Sequence, residues 1–180
     1  DVNPVISKAG CNMGTCHGAK DGKNGFKLSL RGYDPVYDLR AFTDDIASRR
    51  VNLAAPDSSL ILMKATAGVP HEGGQVVKPG SHAYEMIRSW VADGAKVNFD
   101  SQKATKITLY PENPVIQSIG DQQQIRVIAS YANGEERDVS QESFTQSGNT
   151  EIVEVDDSGL ITTLRRGEAA VLVRYEGNYA

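Results

Sequence analysis

The chain has 180 residues, of which 39% are hydrophobic and 23% charged, and this is the composition of a globular protein with one large or two small domains. Its net charge of −4 is distributed unevenly. Residues 1–103 contain 13 Lys and Arg and 11 Asp and Glu, whereas residues 104–180 contain 6 Lys and Arg and 12 Asp and Glu. Neither part is basic enough to indicate nucleic-acid binding, and apolar runs such as residues 60–63 are far shorter than a membrane span.

Residues 1–103 are predicted to form short helices joined by loops rich in glycine and proline. The predicted helices are residues 4–9, 37–43, 60–66 and a last helix that ends at Gly94. The last helix is the clearest, because Tyr84, Ile87 and Val91 fall on one apolar face.

From residue 104 the pattern changes to the two-residue alternation of strands. The β-branched runs are residues 107–109, 124–128, 152–155 and 169–173. Asn133 and Gly134 form a typical hairpin turn between two such runs. Several short strands at near-regular spacing predict a β-sandwich, so we expect one domain over residues 1–103 and a second over residues 104–180.

The residues with metal-binding and nucleophilic chemistry cluster in Cys11-Asn12-Met13-Gly14-Thr15-Cys16-His17. Two thiols can add to the vinyl groups of a haem, and a histidine directly after the second cysteine can bind the iron. Haem c motifs usually have two residues between the cysteines, whereas this one has four, and Gly14 gives the longer loop backbone freedom. A disulfide, a zinc site with two sulfur and two nitrogen ligands, and two unconnected buried thiols are the alternatives.

Five segments together resemble the cytochrome c-like domain of large planctomycete surface proteins: residues 10–18, 25–32, 56–60, 69–74 and 87–95. Residues 157–173 resemble the end of a bacterial immunoglobulin-like domain. These resemblances imply a mainly α cytochrome c-like domain, residues 1–103, followed by an all-β immunoglobulin-like sandwich, residues 104–180. They also imply one haem c, with iron, bound covalently through Cys11 and Cys16.

The iron would have His17 as its proximal ligand and His71 as its distal ligand, because small cytochromes usually provide the distal ligand from the loop before the last helix. Met63 is the main alternative to His71, ahead of His82, Met86 and Met13. We expect Phe26, Leu28 and Trp90 to line the haem pocket, together with Leu30, Tyr33 and Leu62. Two imidazole ligands predict a comparatively low reduction potential.

The function expected from these features is electron transfer to or from a redox partner protein, without enzymatic activity, and the β domain would be a spacer or binding domain. The alternatives are a haem enzyme or ligand sensor with a displaceable distal ligand, and a zinc-stapled structural or adhesive surface protein. Because haem attaches covalently outside the cytoplasm, we expect a periplasmic or other extracytoplasmic location. We also expect the chain to be part of a larger multidomain protein.

Overall fold

The computed structural model describes residues 2–44 and 49–180, and the chain divides into two compact units between Ser101 and Gln102. In the first unit the helices are α1 (Val2–Lys8), α2 (Pro35–Thr43), α3 (Leu60–Ala65) and α4 (His82–Ala92), with short 3-10 turns at Leu30–Gly32 and Pro56–Ser58. None of the helices in these residues has the length and hydropathy needed to cross a membrane.

Caps set the starts of the two longest helices. The Asp34 carboxylate accepts a hydrogen bond from the Tyr37 backbone N–H at 3.0 Å, and Pro35 occupies the first turn, where its missing N–H costs nothing. The Ser81 hydroxyl accepts the equivalent bond from Tyr84 at 3.3 Å. The predicted helices therefore occur, with their ends moved by one or two residues.

The core of the first unit lies where α1 packs against α4. Ile6 of α1 and Val91 of α4 are almost completely buried, as are Leu28 from the intervening loop and Leu62 of α3. Four short helices thus share one apolar core, and loops make up much of the remaining chain.

The second unit consists of nine short strands: β1 (Ala104–Tyr110), β2 (Gln122–Gln124), β3 (Arg126–Tyr131), β4 (Glu136–Asp138), β5 (Phe144–Ser147), β6 (Val153–Val155), β7 (Leu160–Thr163), β8 (Val171–Tyr175) and β9 (Asn178–Tyr179). They form three antiparallel three-stranded sheets in the orders β1-β3-β4, β2-β7-β6 and β5-β8-β9. Their apolar faces enclose a core that includes Val127, Val139 and Val173.

The predicted fold class, a mainly α cytochrome c-like domain followed by an immunoglobulin-like sandwich, is wrong. The helices of the first unit have only 6 to 11 residues, because caps and loop residues end each one early. In the second unit, the predicted strand 124–128 is interrupted at Ile125, whose N–H donates to the Gly159 carbonyl at 3.0 Å. The chain changes sheets there, so three small sheets form instead of two larger ones.

A buried carboxylate fastens α2 to the preceding loop. Asp38 is 0% exposed, and its two oxygens accept hydrogen bonds from the Ser29 backbone N–H at 2.5 Å and the Ser29 hydroxyl at 2.9 Å. The Asn12 side chain adds a third bond. Burial raises the pKa of Asp38, and these hydrogen bonds oppose the rise.

We expect Asp38→Ala to lower the free energy of unfolding by about 3 kcal/mol, because it leaves several buried donors without an acceptor. Urea unfolding followed by circular dichroism measures the change. Asp21→Ala is the matched control, since Asp21 is an exposed aspartate of the same unit, and it should change the stability by less than about 0.5 kcal/mol. Equal effects of the two substitutions would contradict a structural role for the buried carboxylate.

Candidate functional site

Cys11, Cys16 and His17 lie in one compact loop directly after α1. The Cys11 N–H donates to the Ile6 carbonyl at 3.2 Å, which continues the last turn of the helix. The His17 N–H then donates to the Cys11 carbonyl at 3.0 Å, and the Cys16 N–H to the Met13 carbonyl at 2.9 Å. These bonds fold the loop back on itself, so the residues at its two ends become neighbours.

The two cysteines are free and each is partly exposed as a residue. Burial of its sulfur raises the pKa of Cys11 to about 12, and the nearby Cys16 adds to the rise. The thiolate is the nucleophilic form of cysteine, so Cys11 is held in its unreactive, protonated form at neutral pH.

His17 and His71 are oriented in the same way by backbone carbonyls. Nδ1 of His17 lies 3.0 Å from the Phe26 carbonyl oxygen, and Nδ1 of His71 lies 2.9 Å from that of Gly74. An Nδ1–H that donates to a carbonyl fixes the tautomer and leaves Nε2 as the nitrogen that can accept a hydrogen bond or bind a metal. The two imidazoles are therefore both arranged to present Nε2.

The surroundings of His17 keep its ring neutral. Burial lowers the pKa of His17, its electrostatic interactions with His71, Lys23 and Arg50 lower it further, and the hydrogen bond to the Phe26 carbonyl raises it. The Phe26 ring packs against the imidazole in an edge-on arrangement, with 4.8 Å between the ring centroids. This packing restricts the orientation of the imidazole.

An ion pair joins the segment that carries His71 to the turn formed by residues 23–26, which contacts His17 through Phe26. Lys23 Nζ lies 3.0 Å from Glu72 Oε1, and Lys23 belongs to the tight turn that ends at Phe26. Both side chains are largely exposed, so the pair contributes little to stability. The pair does show that the two segments that carry the histidines lie next to each other.

The residues expected to line a haem pocket have different environments. Leu28 is 0% exposed in the core of the first unit, and Leu62 lies in the same core. Phe26 and Trp90 are partly buried against it, and the Phe42 ring lies between them, 4.9 Å and 6.5 Å from their centroids. Leu30 and Tyr33 are instead 53% and 87% exposed. Met63 and Met86 lie in α3 and α4, and His82 is at the start of α4.

The described residues hold no cluster of three or more His, Cys, Asp or Glu side chains that could bind a metal ion. A structural zinc site requires four such ligands, so the zinc-stapled alternative is wrong. The same finding contradicts the electron-transfer function, and the expected redox partner is left without support. The assignments of Cys11, Cys16, His17, His71, Phe26, Leu28 and Trp90 to cofactor binding, and of haem c as the cofactor, stay predictions.

Sequence analysis missed two buried polar residues beneath the loop, Asn12 and Asp38, which are both 0% exposed. A signal for Asp38 was present, because it lies four residues before Phe42 and therefore shares the buried face of α2. Asn12 carried no such signal, since its position between the two cysteines draws attention to the thiols.

The state of Cys11 predicts slow alkylation. At pH 8, we expect iodoacetamide to modify Cys11 of the folded chain about a thousandfold more slowly than in urea, because the raised pKa and burial suppress the thiolate. Peptide mass spectrometry measures the labelling, and Cys16 in the same sample is the reference. Equal rates for Cys11 in folded and unfolded chains would contradict the prediction. The intact mass, measured first, shows whether either thiol already carries a covalent group such as haem.

The lowered pKa of His17 predicts a stability that falls in mild acid. In the unfolded chain His17 becomes protonated as the pH falls below its ordinary pKa of 6.5. In the folded chain the lowered pKa means that protonation occurs only at a lower pH. The free energy of unfolding should therefore decrease as the pH falls from 7.5 to 5.0. Denaturant unfolding at each pH should show a smaller decrease for His17→Gln than for His82→Gln, the control at an exposed histidine. Identical pH profiles would contradict the prediction.

Comparisons with known proteins give one informative similarity. No protein-family model matches the chain. Together with the fold, and with the absence of a metal-binding cluster among the described residues, this finding overturns the interpretation of the chain as a c-type cytochrome. A protein of Niallia circulans described as an S-layer-related protein is 25% identical over 164 residues, which cover 84% of this chain and 10% of that protein. The chain thus spans about a tenth of the length of the curated relative that it matches.

Proposed function

We propose that this chain is a structural segment of a large surface protein, located outside the cytoplasm and without enzymatic activity of its own. The observation that carries the proposal is the similarity to an S-layer-related protein, which extends over most of the chain and is therefore not limited to one short motif. The relative is many times longer than this chain, which suits a segment that works as one part of a long polypeptide.

The way in which the second unit is closed supports a structural role. The Ala104 N–H donates to Glu176 Oε2 at 2.8 Å, and Asn178 Nδ2 donates to the Ala104 carbonyl at 2.8 Å. These bonds fasten the first residue of β1 to the hairpin formed by β8 and β9, more than 70 residues later. A unit fastened in this way cannot lose its first strand without breaking bonds to its last one.

The core of the second unit supports the same conclusion. Ala129, Val139 and Val173 are 0% exposed, so each of the strands β3 and β8 contributes a fully buried residue. The hydroxyl groups of Tyr131 and Tyr175 lie 3.4 Å apart inside this core, which satisfies both polar ends in a buried position. Such a core stabilises the unit without a disulfide, and both cysteines of the chain lie in the first unit.

Intact cells of the source organism test the location. We expect antibodies raised against the purified chain to label intact cells, and we expect external protease to remove the label while a cytoplasmic marker protein survives. The physical reason is that an exported segment is accessible without lysis. Labelling that requires permeabilised cells, with an epitope that resists external protease, would contradict the proposal.

A further inference from the structure

An open cavity of about 490 Å³ lies on the first unit, beside the first turns of α2. Its volume is in the range of pockets that bind small molecules. The lining side chains that carry the argument are Phe26, Asp34, Val36, Tyr37, Arg40 and Ala41. Phe26 also packs against His17, but no residue of the cysteine loop, residues 11–17, lines the cavity, so it is a second place on this unit where a ligand could bind.

The charged side chains around the cavity already have partners in the protein. Arg40 supplies one cation and Asp34 one anion, while Arg40 also lies 3.9 Å from Asp44 Oδ2. Lys27 lines the cavity as well, but its ammonium group donates to the Ala19 and Lys20 carbonyls and is already satisfied. Asp34 in turn accepts the Tyr37 backbone N–H. Because each charged side chain of the lining already has a partner within the protein, the charges favour a neutral ligand.

The shape of the lining favours a ring with one apolar face. Tyr37 is 42% exposed, so its ring is available to a ligand. Its backbone N–H donates to the Asp34 cap, which fixes the position of this helical turn. Val36 and Ala41 extend the apolar surface. An apolar surface with one carboxylate acceptor and one guanidinium donor matches a sugar, whose C–H groups pack on an aromatic ring while its hydroxyls donate and accept hydrogen bonds.

We propose that this cavity binds a neutral carbohydrate, with Tyr37 as the stacking surface, Asp34 as an acceptor and Arg40 as a donor for sugar hydroxyls. A wholly apolar ligand would desolvate the charged Asp34 and Arg40 side chains without offering them a new hydrogen bond, which is costly. The inference goes beyond the structural role proposed above, and it concerns the purified chain whatever its cellular location.

Titration of the purified chain with neutral sugars tests the inference. The probes are the methyl glycosides of glucose, galactose, mannose and N-acetylglucosamine and their β1,4-linked disaccharides, followed by ligand-observed nuclear magnetic resonance. We expect at least one probe to bind with a dissociation constant of about 1 mM, since a small ligand in an open cavity has few contacts. Failure of every probe to bind would overturn the proposal.

Substitutions locate the binding. Tyr37→Ala should weaken the binding at least tenfold, and it keeps the helix cap because the cap uses the backbone N–H. Tyr33→Ala is the matched control, since Tyr33 is 87% exposed and does not line the cavity, and it should bind like the wild type. Equal weakening by both substitutions would overturn the proposal.

Asp34→Asn tests the chemistry of the ligand, because asparagine caps helices as well as aspartate does. It should weaken the binding of a neutral sugar several-fold while the melting temperature stays unchanged. Tighter binding of glucuronic acid than of glucose, strengthened further by Asp34→Asn, would show instead that the cavity selects anions and would overturn the proposal.

Discussion

The loop with the two cysteines is held in place by one buried side chain, that of Asn12. The Asn12 backbone carbonyl accepts the Arg31 N–H at 2.8 Å, the side-chain Nδ2 donates to the Ser7 hydroxyl at 2.7 Å, and the side chain also bonds to Asp38. One residue thus connects the loop to α1, to the 3-10 turn at Leu30–Gly32 and to α2. Because a buried amide is costly without partners, these three elements must stay in register for the loop to keep its shape.

The sequence predicts the helices of the first unit well, since their signals are local. Asp34 and Pro35 mark the start of α2, and the apolar face of α4 follows from the spacing of Ile87 and Val91. Asn12 and Asp38 could not be predicted in the same way, because polar residues are usually exposed. Their burial depends on partners that are brought together only by the folded chain.

The second unit shows the same limit for strands. Most of the predicted strands occur, but Ile125 divides one of them, so that β2 pairs with β7 whereas β3 pairs with β1 and β4. Alternation of apolar residues indicates which residues form strands, but it does not indicate which strands pair. The division into three sheets depends on the bond from Ile125 to Gly159, 34 positions further along the chain.

The glycines next to the cysteine loop explain why its sequence looked like a cofactor motif. A Cβ at Gly18 would lie 2.1 Å from the Asn12 carbonyl oxygen, and one at Gly32 would lie 2.6 Å from the Ser7 hydroxyl. Gly18 is therefore required by the nearby backbone of Asn12, and Gly32 by the side chains packed around Asn12, whether or not the thiols bind anything. Because a motif match includes such residues, it reflects the packing of the loop as well as the chemistry of its side chains. Only substitutions confined to Cys11, Cys16 and the two imidazoles can distinguish a packing role from a chemical one.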